Sequence, residues 1–222
     1  MRRTRRPAAL KGMSIEEAVG PRLPAKRVLG IAGSLRRGSY NRLLLEEAVG
    51  CAPPGMVVDI YEELASIPLF NEDLERGTGR GPDAVRRLRR QVASSRGLLI
   101  ATPEYNHSMP GVLKNAIDWL SRPGPDEVLA SKPVAVIGAS AGQWGTRLAQ
   151  SALRQVLFAT ESLVMVRPAL FVREAAGVFD EAGRLVDQPI RERLRAFLTA
   201  FADWIDLIAT DHDKIAGRKP VK

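Results

Sequence analysis

Three short polar segments of this chain hold the residues best suited to chemistry, and each follows an apolar run. The first covers Ser34 to Asn41, the second Pro103 to Asn106 and the third Ser140 to Gly145. Ligands of open parallel sheets bind beyond the carboxyl ends of the strands. If the three apolar runs are neighbouring strands, the three segments are predicted to form one binding site.

The first segment is predicted to bind a phosphate group. It connects a strand pattern to a helix pattern, and backbone N–H groups at such a turn attract anions, helped by the helix dipole. Ser34, Ser39 and Asn41 can donate side-chain hydrogen bonds, and Arg36 can donate a charged one. Ser39 and Tyr40 stand where a Walker loop needs lysine and a hydroxyl, and the glycines do not form GxGxxG. An ordinary capped turn is the alternative.

The second and third segments are suited to the edge of a flat ring. The second is stiffened by proline, so its backbone N–H and C=O groups can meet the polar edge of a flat ring; a plain polar turn is the alternative. Glycines in the third segment allow the backbone to approach a ring closely. Trp144 is compatible with covering a ring or with a subunit contact. His107 is interpreted as a surface or channel residue.

Two of these segments resemble motifs of the NADPH-dependent FMN reductase family, the flavodoxin-like quinone, chromate and azo-dye reductases. Gly33 to Asn41 is similar to the family's phosphate loop. PEYN from Pro103, PG from Pro110 and LKNAIDW from Leu113 are similar to its second signature. The resemblance covers residues 26 to 205 and implies FMN as the cofactor, with NADPH or NADH as the cosubstrate.

The resemblance also implies the residues that contact FMN. The first segment binds the phosphate, and the second supports the ring mainly through backbone atoms. The predicted cofactor-binding residues are Ser34, Arg36, Ser39, Tyr40, Asn41, Pro103, Glu104, Tyr105, Asn106, Ser140, Gly142 and Gly145. No catalytic side chain is expected, because the flavin itself carries the redox chemistry. Where the family often has two adjacent glycines, this chain has Gly145 and Thr146.

The implied activity is the two-electron reduction of a small acceptor by NAD(P)H in a ping-pong cycle. The resemblance suggests a quinone, with chromate and azo compounds as incidental substrates, and a homodimer or homotetramer. Two alternatives stay open at this point. One is an FMN reductase that supplies reduced flavin to a partner monooxygenase, and the other is a flavodoxin-like electron carrier.

The elements that must position these segments alternate between strand and helix patterns, as in a parallel α/β fold. The predicted strands are 28–32, 56–61, 97–102, 134–138 and 163–166. The predicted helices are 40–49, 82–94, 110–121, 145–159 and 190–208. Together they suit an α/β, flavodoxin-like, doubly wound five-stranded parallel sheet in the order 2-1-3-4-5, with helices on both faces.

Composition narrows the class of protein. The chain has 222 residues, 45% of them apolar, which favours one domain. A single cysteine excludes an internal disulfide and a cysteine-ligated iron–sulfur cluster, and two histidines leave little for a zinc site. No apolar run reaches the roughly 18 residues of a membrane span, and a cytoplasmic location is expected.

Charge is concentrated in the N-terminal part. Residues 1–27 carry eight basic and two acidic side chains, so +6 of the net +8 lies there, and a nucleic-acid partner is not expected. Residues 1–25 are interpreted as a disordered basic extension, with Met13 as an alternative start. Residues 26–210 are predicted to form the FMN-binding domain and residues 211–222 a flexible tail.

A second group of basic residues lies in the predicted helix 82–94. Arg86, Arg87, Arg89 and Arg90 would spread around most of its circumference, which indicates a solvated helix. An oligomer contact or attraction of the NADPH 2′-phosphate are the alternatives, because arginine can bind a phosphate with two hydrogen bonds.

Overall fold

The computed structural model of the protein describes residues 25–76, 81–122 and 127–216. The predicted basic extension, apart from Ala25, and residues 217–222 of the predicted tail lie outside these ranges. The strands are β1 (Lys26–Ala32), β2 (Met56–Ile60), β3 (Gly97–Ala101), β4 (Pro133–Ala139), β5 (Leu163–Val164) and β6 (Leu170–Val172). The helices are α1 (Tyr40–Cys51), α2 (Asp73–Arg76), α3 (Asp83–Ser94), α4 (Gly111–Leu120), α5 (Arg147–Ala159) and α6 (Gln188–Ala216), with short 3₁₀ turns at Leu64–Ser66 and Ala175–Gly177.

The strands form one parallel sheet in the order β2-β1-β3-β4-β5, and β6 also pairs with β4. The predicted order 2-1-3-4-5 is therefore confirmed. The fifth position is shared by two segments: β5 pairs with the start of β4, and β6 pairs with its end. The sheet thus has six strands where the sequence indicated five.

Alternation along the strands divides the interior into two cores. In β3, Leu98 and Ile100 face one core, whereas Leu99 and Ala101 face the other. Helices α3, α4 and α5 cover the core that contains Leu98 and Ile100, and α1 and α6 cover the core that contains Leu99 and Ala101. Because both faces of β3 and β4 are covered, every residue of these strands is buried. Helices lie on both faces, as predicted.

Several elements differ in extent from the sequence-based expectation. Helix α4 begins at Gly111, so Pro110 is its N-cap residue and not its first helical residue. Between β2 and α3, where the sequence analysis places no element, the chain forms a 3₁₀ turn and the short helix α2. Helix α6 continues to Ala216, past the boundary of the tail predicted to begin at residue 211.

Candidate functional site

The carboxyl ends of β1, β3 and β4 bring the three polar segments together. The backbone N–H of Gly33 donates to the carbonyl of Ala101 at 2.8 Å, and that of Thr102 donates to Ile137 at 3.0 Å. The loops therefore leave the sheet side by side, at the point where the strand order reverses. A cleft of about 130 Å³ lies between them, the switch-point cleft. Its lining residues are Ser34, Arg36, Ser39, Tyr40, Asn41, Pro103, Glu104, Tyr105, Ala139, Ser140 and Ala141.

The first loop supplies hydrogen-bond donors to this cleft. Ser39 is the N-cap of α1, and its Oγ accepts from the N–H of Arg42 at 3.4 Å. The N–H groups of Tyr40 and Asn41 belong to the first turn, where no intrahelical acceptor exists. Arg36 lies with its guanidinium carbon 6.0 Å from the ring centre of Tyr40, and no carboxylate in the described ranges lies within 4 Å of it.

Asn41 has a different role from the phosphate donor that the sequence suggested. Its Nδ2 donates to the carbonyl of Ala139 at 2.9 Å, and its Oδ1 accepts from the N–H of the same residue at 2.9 Å. The side chain is buried, with 2% of its surface exposed. Because both ends of the amide are engaged, Asn41 joins the start of α1 to the end of β4, and only its backbone N–H remains for a ligand.

The second loop forms a tight two-residue turn. Tyr105 and Ser108 exchange N–H to O=C hydrogen bonds of 3.0 Å, and Asn106 and His107 between them have φ angles of 49° and 63°. Positive φ at both central positions is the geometry that fits a right-twisted hairpin. Asn106 is therefore exposed at the tip and does not line the cleft.

The cleft side of this turn contacts the first loop. The hydroxyl of Tyr105 shares a hydrogen bond with Ser34 Oγ at 3.3 Å. Ser34 Oγ also accepts from the N–H of Arg36 at 3.3 Å. Two of the three segments are thus connected through their own polar side chains.

Glu104 connects the second loop to helix α5. Its Oε2 accepts from the N–H of Leu148 at 2.9 Å and from that of Ala149 at 3.0 Å. These N–H groups belong to the first turn of the helix, where a carboxylate is stabilised by the helix dipole. The carboxylate is therefore committed to the protein, which leaves the backbone of this loop to meet a ligand.

The third loop is only partly in the cleft. Ser140 and Ala141 line it, whereas the predicted Gly142 and Gly145 do not. The N–H of Gly142 donates to Ser140 Oγ at 3.1 Å. Gly145 has a φ of 63°, and a Cβ there would lie 3.3 Å from the backbone of Arg173. These glycines shape the loop, and nine of the twelve predicted residues line the cleft.

Sequence reasoning missed the residues that support the third loop. A Cβ on Gly138 would lie 2.5 Å from the carbonyl oxygen of Thr102 and 2.1 Å from Thr146 Oγ1, so only glycine fits. Thr146 is buried with a φ of 76°, and its Oγ1 accepts from Gln150 Nε2 at 3.2 Å. Glycine adopts this left-handed φ without strain, so threonine at this position is unusual.

The arginines of α3 are mostly engaged by the protein. Arg86 pairs with Asp83, and Arg87 Nη2 lies 2.8 Å from Glu63 Oε2. Arg89 is buried, and its Nη2 donates to the carbonyl of Arg122 at 3.1 Å. The prediction of a solvated helix is therefore wrong for Arg89, whereas Arg90 is exposed as predicted.

The remaining candidate groups lie apart from the cleft. Trp119 is fully buried, and its Nε1 donates to the carbonyl of Pro68 at 2.8 Å, so it belongs to the core. The described residues contain no group of three histidine, cysteine or acidic side chains placed to hold a metal ion. A search of the same residues finds no helix with the length and apolar character needed to cross a membrane.

The switch-point cleft fits the phosphate end of FMN. It combines orphan backbone N–H groups, hydroxyls and a guanidinium, while its one carboxylate, Glu104, is bonded to α5. Its volume is below the roughly 300–1,000 Å³ of pockets that enclose a small ligand. The cleft can therefore enclose only part of an FMN molecule.

Comparison with known proteins connects this geometry to named relatives. A family model described as NADPH-dependent FMN reductase matches residues 26–177. An NAD(P)H-dependent FMN reductase of Pseudomonas aeruginosa is 48% identical over 81% of this chain and 95% of its own length. A 2-hydroxy-1,4-benzoquinone reductase of a Burkholderia species is 38% identical over 82% of this chain and 97% of its own.

A solved structure is also similar over most of the chain. The flavoenzyme NAD(P)H:(acceptor) oxidoreductase of Paracoccus denitrificans superposes with a TM-score of 0.75 at 34% identity. The match covers 82% of this chain and 98% of that protein. The fold described above is therefore shared with a protein described as a flavoenzyme.

Proposed function

Since the chain belongs to the NADPH-dependent FMN reductase family, we propose that it reduces a quinone by two electrons in a ping-pong cycle. Family membership confirms the predicted oxidoreductase class, with FMN as cofactor and NAD(P)H as cosubstrate. We propose further that the electron acceptor is a quinone, that the residues described below hold FMN, and that NAD(P)H leaves before the acceptor binds.

The single observation that carries the proposal is the switch-point cleft, with its donors on one side and the stiff turn on the other. When bound, FMN supplies the hydride-accepting and hydride-donating chemistry. The chain supplies the position: Ser39, Arg36 and the first N–H groups of α1 hold the phosphate, and the backbone of the second loop meets the ring edge.

Two side chains fix the walls of this site without contacting the reacting atoms. Asn41 holds the first loop against β4, and Glu104 holds the second loop against α5. Three loops that keep one arrangement can present their N–H groups to the cofactor without reorganising. We therefore assign both residues a positioning role.

A quinone is proposed as the acceptor for two reasons. One relative is named a 2-hydroxy-1,4-benzoquinone reductase, which is a property of that protein. The open cleft also leaves the ring accessible, and the exposed side chains near the second loop, such as Tyr105 with half of its surface exposed, leave room for a flat acceptor. Chromate and azo compounds would be reduced at the same position.

An absorbance spectrum tests the proposal directly. The purified protein, loaded with FMN and passed through gel filtration, is expected to stay yellow and to bleach when NADPH is added without oxygen. Added quinone should restore the colour, and the parallel reciprocal plots of a ping-pong cycle should appear. Loss of FMN on the column would favour a reductase that hands reduced flavin to a partner, and a protein that NADPH does not bleach would favour an electron carrier.

We also propose a homodimer or homotetramer in the cytoplasm. Several large apolar side chains are exposed, including Leu69 and Phe158, each with 82% of its surface accessible, which suits burial against another copy. NAD(P)H is the reductant of the cell interior, which supports the location. Light scattering gives the subunit number, and fractionation of the source cells gives the location.

A further inference from the structure

A second, larger cleft lies beside the switch-point cleft. Its volume is about 660 Å³, within the range of pockets that hold small ligands. We call it the arginine cleft. It is lined by residues from the third loop, the end of β6 and the start of α6: Gln143, Trp144, Arg147, Phe171, Arg173, Glu174, Gly177, Val178, Asp187, Pro189, Ile190 and Arg193.

The cleft carries three arginines without carboxylate partners. No acidic side chain of the described ranges lies within 4 Å of Arg147, Arg173 or Arg193. The cleft is also lined by two acidic residues, Glu174 and Asp187, so three positive and two negative side chains give its lining a net charge of +1. The carboxylate of Asp187 accepts from the N–H of Ile190 at 2.9 Å. Three guanidinium groups around one cleft attract an anion, and each can bind a phosphate with two hydrogen bonds.

Aromatic surface in the same cleft points to a ligand with a flat ring. Trp144 has 73% of its surface exposed, which is unusual for tryptophan. The guanidinium carbon of Arg147 lies 5.2 Å from the ring centre of Phe171, so this arginine is held over an aromatic face. Flat rings, cations and a cleft of this volume together suit a nucleotide.

The two clefts share the third loop. Ser140 and Ala141 line the switch-point cleft, and Gln143 and Trp144 line the arginine cleft. Glu104, on the other side of the switch-point cleft, bonds to the N–H groups that follow Arg147. A molecule in the arginine cleft therefore lies next to the position proposed for the flavin.

We infer that the arginine cleft binds the phosphate-bearing adenosine half of NADPH. Trp144 stacks on a base, and Arg147, Arg173 and Arg193 bind the phosphates, including the 2′-phosphate that NADH lacks. The inference rests on the proposed function. It also replaces the earlier alternative for α3, whose Arg86 and Arg87 are already paired with carboxylates.

Direct binding of adenosine 2′,5′-bisphosphate to the FMN-loaded protein tests the inference. Calorimetry is expected to show one saturable site, and the double variant Arg147→Gln, Arg173→Gln should weaken it by about tenfold. Arg195→Gln is the matched control, because Arg195 is an exposed arginine of the same helix as Arg193 that does not line the cleft. The control should bind as tightly as the wild type.

Steady-state kinetics give a second readout. The double variant should raise the KM for NADPH by about tenfold and the KM for NADH by much less, because only NADPH has the 2′-phosphate. Trp144→Leu should weaken bisphosphate binding while leaving the yellow colour of the protein intact.

The outcomes separate this inference from the proposed function. If NADPH bleaches the flavin normally but the double variant binds the bisphosphate as tightly as Arg195→Gln, only the inference is overturned. It is also overturned if the double variant loses FMN affinity to the same extent, which would place the flavin in this cleft, or if it changes only the oligomeric mass. A protein that takes up no FMN overturns the proposed function, whereas bisphosphate binding is still measurable on it.

Discussion

The two neighbouring clefts differ in how far their lining residues are committed to the protein. In the switch-point cleft, Asn41, Glu104 and Ser34 already make hydrogen bonds that join separate loops. In the arginine cleft, Arg147, Arg173 and Arg193 have no carboxylate partner in the described ranges, and Trp144 is exposed.

This difference suits the two molecules that we assign to the clefts. A cofactor that stays bound through many turnovers gains from a site that needs no reorganisation, because less ordering opposes binding. A cosubstrate that must leave before the acceptor enters is better served by exposed side chains on an open surface. The same loop, residues 140–146, forms part of both clefts.

The largest expected effect comes from Asn41→Ala, which would break the rigid cleft. The variant removes the amide that donates to the carbonyl of Ala139 and accepts from its N–H. Buried polar groups left without a hydrogen bond cost about 1–3 kcal/mol. We expect the free energy of unfolding to fall by that amount and FMN to dissociate more readily, with bisphosphate binding little changed. Urea denaturation and fluorescence titration with FMN measure the two effects.

Asn71→Ala is the control for this prediction. The Oδ1 of Asn71 accepts from the N–H of Asp73 at 2.9 Å, but in an exposed loop where water can replace it. If Asn41→Ala is no less stable than Asn71→Ala, the bond between α1 and β4 does not support the cleft.

Glu104→Ala is expected to affect both clefts, because Glu104 joins the second loop to the start of α5. Loss of a side chain that accepts from first-turn N–H groups lowers stability by about 1 kcal/mol. We expect weaker FMN retention together with weaker bisphosphate binding, since Arg147 begins the same helix. Glu104→Gln keeps an acceptor oxygen and should restore much of both affinities. An unchanged bisphosphate affinity in Glu104→Ala would show that the clefts are independent.

The fold was predictable because its strands follow simple patterns. β3 and β4 read as continuous apolar runs, since helices cover both of their faces. The fifth position was harder to predict: only Leu163 to Val166 has a strand-like pattern, whereas Leu170–Val172 pairs with the other end of β4. A three-residue strand gives too short a pattern to be distinguished from a loop.

The site was predictable only in part, for a similar reason. The first and second loops are contiguous motifs, so their residues could be identified one by one. The bond of Asn41 with Ala139 joins residues 98 positions apart, and no local pattern reveals it. The arginine cleft combines the third loop, β6 and α6, so Arg173 and Arg193 come together only through the tertiary fold.

A smaller effect is expected from Tyr105→Phe, which removes the hydroxyl that contacts Ser34. The bond is 3.3 Å long and half-exposed, so its loss should lower stability by about 0.5 kcal/mol or less. A loss of about 0.5 kcal/mol corresponds to a fall in FMN affinity of about twofold. Titration of the FMN-free protein measures this change. A loss of FMN affinity clearly larger than twofold in Tyr105→Phe would indicate that the hydroxyl contacts FMN itself.

The smallest expected effect is a change in the pH dependence of stability, and it concerns Arg42. This arginine lies near the switch-point cleft and is paired with two carboxylates. Arg42 donates to Glu62 with two hydrogen bonds, at 2.5 and 2.6 Å, and to Glu46 at 2.7 Å. The hydrogen bond from Arg42 lowers the pKa of Glu62. The stability from this pair is therefore present above the pKa of Glu62 in the unfolded chain, and it is lost as the pH falls through the lower pKa of the folded state.

Glu62→Gln should accordingly lose less stability than the wild type as the pH falls from neutral to about 3. The difference is small, because 63% of the Glu62 side chain is exposed and salt screens the pair. Urea midpoints across this pH range measure it, and parallel curves would contradict it. At neutral pH the same variant leaves Arg42 paired with the carboxylate of Glu46 alone. A gain in affinity for inorganic phosphate would then indicate that the carboxylate of Glu62 keeps Arg42 from binding anions.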